Sequence, residues 1–319
     1  MIKILSIDGG GLRGIIPALY LEELEKQIGK PLYRVFDVII GTSTGSIISA
    51  GICTPKKYLS GGGYLNRYDM SDIVSLYQTE AKEIFKRPIS YKLSSMFGLS
   101  DSKYDGKNLR AVLSKYFSEN TIGDMLSNFA CVSYDIENNR EIIFSKISEK
   151  YKGTKIVDCV YASSAAPTYF DPIHLSNMTL VDGGVYANNP SVIGFFEAKK
   201  HYRNENLLNN AMFVSLGTGI SEKPISYEVS KNWGTVSWLS PILKILMNSS
   251  SNVASYTMEN LVNFKEEQWN RFQISLNPKY SEMDKPNNIP YLYDVAKENI
   301  EKDAERIKRV SQILKQNSI

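Results

Sequence analysis

The first fifty residues repeat one grammar twice, and that repeat restricts the fold more than any other feature. "IKILSI" is a short β-type run closed by three glycines, and "GIIPALYLEELEKQIGK" follows with Ile15, Leu19, Leu21, Leu24 and Ile28 at helical spacing. Pro17 falls in the first helical turn, where a missing N–H does no harm, and Gly29 stands where a helix should stop. "RVFDVIIG" then reads as a second apolar strand and "STGSIISAGI" as the start of a second helix. Strand, helix, strand, helix at this density implies a parallel sheet joined by right-handed crossovers, so the fold class is α/β.

Later segments extend the pattern. "FACVSYDI" and "EIIFS" pair across the turn-forming "ENNR", and "KIVDCVYASSAAP" reads as a helix ending near Pro167. "MTLVDGGVYANNP" is a strand meeting a tight turn, "SVIGFFEAKKHY" a helix and "AMFVSLGTG" a buried strand. The stretch "YDVAKENIEKDAERIKRVSQILKQ" reads as one charged amphipathic helix lying on the core. Between Thr54 and about Ser118 the pattern loosens, tyrosines accumulate and "SGGG" appears, as in an inserted cap.

Composition excludes more than it selects. With 319 residues and 43% hydrophobic content the chain can bury a large core, while a formal charge of +3 gives no footprint for a nucleic acid polymer. Cys53, Cys131 and Cys159 are scattered and lack the close pairing of a zinc or redox motif, so a reducing compartment is expected. The N-terminus lacks a signal-peptide pattern and no apolar run reaches the roughly 20 residues of a membrane span. The expectation is a soluble, cytoplasmic protein, peripheral where it meets membranes.

"GTSTG" places Ser43 between Gly41 and Gly45, where a buried strand turns into a helix. G-x-S-x-G alone is weak, since Gly and Ser at roughly 7% each produce it by chance in about one chain in ten of this length. Its setting is that of a nucleophile elbow, in which small neighbours permit a strained turn and lift the hydroxyl clear of the sheet. The bland alternative is a loop or N-cap serine. The chain has only two histidines: His174 precedes a strand and His201 ends a charged helix, and neither sits in a motif. "LVDGG" puts Asp182 at the end of a β-type run before Gly183 and Gly184, either as a carboxylate base or as an ordinary D-G hairpin turn.

"DGGGLRG" satisfies G-x-G-x-x-G through Gly9, Gly11 and Gly14, the dinucleotide-binding fingerprint. Its acidic partner should close the second strand, but that strand ends in the serine elbow and Asp37 lies near its beginning. The competing use of the glycines is an oxyanion hole, with the backbone N–H groups of Gly10 and Gly11 aimed at a tetrahedral intermediate and Arg13 adding charge or pairing with a local acid. A histidine-dependent α/β-hydrolase would place its serine after several strands and a histidine late in the chain, whereas nothing of the kind follows His201.

Taken together, "DGGGLRG", "GTSTG" and "DGG", in that order, resemble the patatin-like phospholipase family, in its bacterial type. "SAAPTYF", "YANNP" and "SLGTG" also look like recurrent family segments, and the likeness covers about residues 1–220. The resemblance implies a three-layer α/β/α fold around a mostly parallel sheet, a catalytic domain over 1–220 with a helical cap inserted at about 54–125, and a helical extension over 221–319 packed on the core as part of it or as a small lid. It implies Ser43 as nucleophile, Asp182 as its sole partner, and an oxyanion hole from Gly10, Gly11, Leu12 and Arg13, with Gly41, Gly45, Gly183 and Gly184 supporting the turns. The implied activity is that of a lipid acyl hydrolase of the phospholipase A or lysophospholipase type, needing no metal or cofactor, that meets phospholipid at a membrane interface. Some bacterial members answer to a signal nucleotide or a protein factor, for which no residue here is diagnostic. One departure is visible: the elbow continues as "GTSTGS", where many members have a further glycine in place of Ser46.

Overall fold

The computed structural model describes residues 1–56, 65–86, 102–203, 206–221, 224–262, 265 and 267–316. Strand β1 (Ile2–Ile7) runs parallel to β2 (Val38–Thr42), and helix α1 (Ile15–Ile28) crosses between them. Gly29 closes α1 in the left-handed conformation, at φ 72°. The second strand starts later than its apolar run suggests. Leu32–Arg34 form a single 3-10 turn, and Asp37 accepts a hydrogen bond from the Lys3 amide at 2.7 Å, pinning the near ends of β1 and β2.

Helix α2 (Thr44–Cys53) is buried throughout, as its small and apolar residues require. A two-stranded ribbon of β3 (Pro55–Lys56) and β4 (Leu65–Asn66) leads to helices α3 (Met70–Ile84) and α4 (Gly106–Phe117). The helices expected in the inserted segment are thus part of the main core: Ile73, Leu76, Leu109 and Leu113 join the same hydrophobic cluster as Leu5 and Leu19. "SGGG" lies outside the described residues.

Strand β5 (Asn128–Asp135) forms the expected hairpin with β6 (Arg140–Ser145), and helix α5 (Ile156–Ser164) follows. Strands β7 (Ile173–Leu175) and β8 (Met178–Asp182) precede the short helix α6 (Gly184–Ala187), helix α7 (Ser191–Tyr202) and strand β9 (Ala211–Leu216). With a last strand β10 (Trp269–Phe272), the long path through the sheet is β10-β9-β1-β2-β5-β8-β7, and β10, β9, β1, β2 and β5 are mutually parallel.

Alternation along the strands separates the two faces. Leu5 and Ile7 point to the core shared with α1, α2 and α5, while Ile4 points to a second cluster with Phe195, Phe213 and Trp269. Helices therefore cover both faces, giving the three-layer α/β/α architecture.

The C-terminal part departs from its sequence reading in two ways. After the short helix α8 (Tyr227–Ser230) come helix α9 (Thr235–Leu261) and the strand β10 (Trp269–Phe272), so this part adds an edge strand to the central sheet. The single helix expected near the end is two, α10 (Ile289–Lys302) and α11 (Ala304–Gln316). Asp303 separates them: its carboxylate accepts from the Tyr20 hydroxyl at 2.7 Å, and the break turns Ile307, Val310 and Leu314 into the core.

Candidate active site

Strand β5 decides where the site forms. It pairs with β6 through residues 130–135, with β2 through 128–132 and with β8 through 133–135. Because β6 overlaps both other partners, β2 and β8 must share the opposite edge, one beyond the other. Thr42 is opposite Val132 and Asp182 is opposite Ser133, so two strands 140 residues apart in sequence meet end to end at adjacent positions of β5. Ser43 leaves the tip of β2 and Asp182 closes β8.

The backbone at Ser43 is strained, with φ 53° and ψ −123°, a conformation held by its neighbours. A Cβ on Gly41 would lie 2.1 Å from the Gly45 carbonyl oxygen, and one on Gly45 would lie 2.2 Å from that of Ile7. The Ser43 amide donates to Ser163 Oγ at 2.9 Å. The Ser46 amide and hydroxyl both donate to the Ser43 carbonyl, at 2.8 and 2.6 Å, so the serine standing in place of a glycine braces the elbow.

Asp182 is buried, and its Oδ1 accepts the Gly184 amide at 2.7 Å. Its Oδ2 is equally buried without a hydrogen bond of ordinary length and angle. Loss of hydration pushes the carboxyl up to about 7, against the opposing pull of the Gly184 amide and the neighbouring Ser43 hydroxyl. The hairpin alternative for "DGG" does not hold, because α6 starts at Gly184. Gly183 is required there, since a Cβ on it would stand 2.5 Å from the Val132 oxygen. Neither histidine joins the site: His174 is exposed beside Thr179 and Glu137, and His201 is exposed against the Tyr202 ring.

The glycine loop abuts the serine: a Cβ on Gly9 would lie 3.2 Å from Ser43 Cβ. Of the four residues expected to form an oxyanion hole, two have their amides committed. Leu12 N–H donates to the Met283 oxygen at 2.8 Å and Arg13 N–H to the Gly10 oxygen at 3.2 Å, which narrows the expectation to the amides of Gly10 and Gly11. Those two donate to no other group among the described residues.

Their directions are fixed from behind. In a planar trans peptide the C=O and the next N–H point opposite ways, so holding one aims the other. Thr218 Oγ1 donates to the Gly9 oxygen at 2.8 Å and thereby sets the Gly10 amide. Arg13 Nε, at 3.4 Å, reinforces the hold on the Gly10 oxygen and so sets the Gly11 amide, while Nη1 reaches the Gly219 oxygen at 3.3 Å. Arg13 is therefore a brace between two backbone segments; burial lowers it to about 10, and it keeps its proton at neutral pH. Gly11 takes φ 57°, and a Cβ there would meet the Met283 oxygen at 2.4 Å.

Behind the loop, Asp8 forms a two-pronged ion pair with Arg271 of β10, at 2.7 and 2.5 Å, and accepts from Ser251 of α9 at 3.4 Å. Ser251 also accepts from Asn188 Nδ2 at 2.9 Å. Thr218, Asn188, Ser163, Ser251 and Arg271 were not assigned roles on sequence. Thr218 and Asn188 stand in the family-like segments "SLGTG" and "YANNP", and Ser163 in the helical run "KIVDCVYASSAAP", whereas a lone Arg271 carries no local signal.

Above Ser43 an apolar cavity opens between α3, α4 and the glycine loop, lined by Leu12, Ile47, Leu76, Ile84, Phe85, Leu109 and Phe170, with Ser43 and Gly11 at its wall. A wider cleft near Arg67, Ser118 and Lys146 shares none of these residues.

A strained serine, a buried carboxyl and a glycine loop in this chain order have a counterpart in a known family, for residues 5–192 match the model described as patatin-like phospholipase. The chain belongs to the patatin-like phospholipase family. It is 33% identical to "Patatin-like protein 1" of Arabidopsis thaliana over 80% of this chain and 70% of that protein. It is 32% identical to a Solanum tuberosum protein described as "Probable inactive patatin-3-Kuras 1", over 87% and 79%. A third relative, "Patatin-04/09" of Solanum tuberosum, is 31% identical over 98% of this chain and 90% of its own length. Among solved structures, VipD from Legionella pneumophila aligns with a TM-score of 0.38 and 15% identity, over 92% of this chain and 66% of that one. Membership of the patatin-like family places the chain among hydrolases of lipid acyl esters in general. Asp37, by contrast, sits at the end of the sheet opposite the glycine loop, where it could hold no ribose of a nucleotide bound there.

Proposed function

We propose that the protein cleaves acyl esters of glycerophospholipids through Ser43 and Asp182 alone. The observation that carries this reading is the juxtaposition at the edge of β5, which sets a strained serine against a carboxyl raised to about 7, the range a general base needs. In this mechanism Asp182 takes the Ser43 proton as Oγ attacks the ester carbonyl, and the Gly10 and Gly11 amides hold the resulting oxyanion. Collapse expels the alcohol with a proton from Asp182 and leaves an acyl-serine. Water then gives a proton to the same carboxylate as it attacks the acyl carbonyl, and collapse returns that proton from Asp182 to the departing Ser43 Oγ and releases the fatty acid. The small cavity beside Ser43, of about 50 Å³, has an apolar lining that suits the first carbons of an acyl chain. Since one relative is described as inactive, membership alone does not decide activity, and the reading stands on the residues present.

An active-site-directed fluorophosphonate is expected to label the native protein and to leave Ser43→Ala unlabelled in a gel assay; label on the alanine variant would end the nucleophile assignment. A subtler test concerns the loop. Thr218→Val removes the hydroxyl that aims the Gly10 amide, so kcat should fall about tenfold, less than the 10² to 10³ of an outright lost donor. KM should stay unchanged and Thr218→Ser should restore the rate. Equal kcat in the valine variant would show that the loop needs no such hold.

A further inference from the structure

The first half of α9 is apolar nearly all the way round and stands clear of the core. Val236 is 69% exposed, Trp238 39%, and Leu239, Ile242, Ile245 and Leu246 between 44 and 48%. Within the same stretch Leu243 turns inward. A surface helix ordinarily shows one apolar stripe and buries it, and a contiguous exposed patch of this kind marks a binding face. The Trp233 and Trp238 rings pack edge to face at the start of the helix, with Lys231 and Lys244 exposed to either side. Tryptophan and lysine around an apolar helical face are the residues that settle at the headgroup level of a bilayer, with ring and stem inward and polar end in water.

The patch also continues from the candidate site. One turn further along, Met247 packs over Gly184, the residue whose amide holds Asp182, and Ser250 accepts the Asn188 amide at 3.2 Å. The exposed half is thus the projecting end of a helix anchored beside the catalytic carboxyl, and Ile242 lies only about 7 Å along the axis from Met247. Among the described residues no helix is long and apolar enough to cross a membrane.

We infer that residues 236–246 form a docking helix that seats the protein on a phospholipid surface, lying in the headgroup region with the site beside it. The inference rests on the proposed lipid substrate, and its test separates the two. Binding is read without catalysis, using Ser43→Ala protein sedimented with phosphatidylcholine vesicles, with and without phosphatidylglycerol. Adding Val236→Ser, Leu239→Ser, Ile242→Ser and Leu246→Ser is expected to lower vesicle-bound protein at least about tenfold, given four large side chains no longer buried in lipid. On the Ser43 background the same four changes should cut hydrolysis of vesicle phospholipid comparably and leave cleavage of a short water-soluble ester unaltered. That last assay also certifies the fold of the variant and reports on the esterase reading independently. As an independent measure, brominated lipid should quench tryptophan emission, and Trp233→Phe with Trp238→Phe should remove most of the quenching, leaving the buried Trp269. Unchanged vesicle binding by the fourfold variant overturns the inference. A loss of self-association in sedimentation velocity, with vesicle binding intact, overturns it in favour of a second copy of the chain.

Discussion

Asp182→Asn is expected to abolish most ester cleavage while making the folded protein more stable above neutral pH. The activity loss follows from removing the carboxylate proposed as the base for Ser43, an effect of about 10²- to 10⁴-fold for a positioned general base. The stability gain follows from linkage. Burial raises the carboxyl from 3.8 to about 7, so between those values the native state holds a proton that the unfolded chain has released. Stability therefore falls as pH rises from about 4 to 7 and stays low beyond, by at most about 4 kcal/mol for three pKa units at roughly 1.36 kcal/mol each. Asparagine keeps an oxygen for the Gly184 amide and carries no charge to desolvate. Melting temperatures should show the variant ahead at pH 8 and level with the parent near pH 4. In the parent, kcat/KM should climb with pH through a single ionisation near 7. A variant that keeps its esterase activity, or whose thermal gain is the same at every pH, would remove Asp182 from the role of base.

What the sequence made legible were the features written in short windows. Glycines at 41, 45 and 183 are needed where the chain passes within about van der Waals contact of another backbone, and each leaves a mark beside the residue it serves. The alternation of apolar runs gave the layers for the same reason. Non-local placement was hidden. Nothing near Ser43 or Asp182 reveals that β2 and β8 share one edge of β5, because that depends on how far β6 extends along the other. The motif "GGGLR" named four hole residues, yet Leu12 and Arg13 spend their amides on Met283 and Gly10, a fact set partly by a residue some 270 positions away. The four-residue "WNRF" with two polar positions is too short and mixed to announce β10. Ser250 and Ser251 of α9 carry no local signal because their contacts, with Asn188 and Asp8, lie in another part of the fold.

Arg271→Met should destabilise the protein by about 3–5 kcal/mol, the cost of leaving one member of a buried ion pair without its partner. Asp8 is 1% exposed, and Arg271 supplies both its charged hydrogen bonds while also donating to Ser215 Oγ at 2.8 Å. Burial alone would drive Asp8 toward its neutral form, which the guanidinium opposes. Asp8 is also the residue from which the Gly9–Gly11 turn departs, its own amide tied to the Leu216 oxygen at 3.0 Å. Removing the cation therefore loosens the glycine loop as well as the fold, and on the proposed mechanism kcat should drop in whatever fraction remains folded. The pair can be told from its parts by a double change: Asp8→Asn with Arg271→Met removes both charges, and chemical denaturation should recover much of the lost stability. No recovery would mean that Arg271 acts through Ser215 and strand pairing, with Asp8 incidental. Because Ser251 and Arg271 approach the same carboxylate from α9 and β10, the last third of the chain fixes the start of the glycine loop, and the loop's geometry depends on residues more than 240 positions downstream.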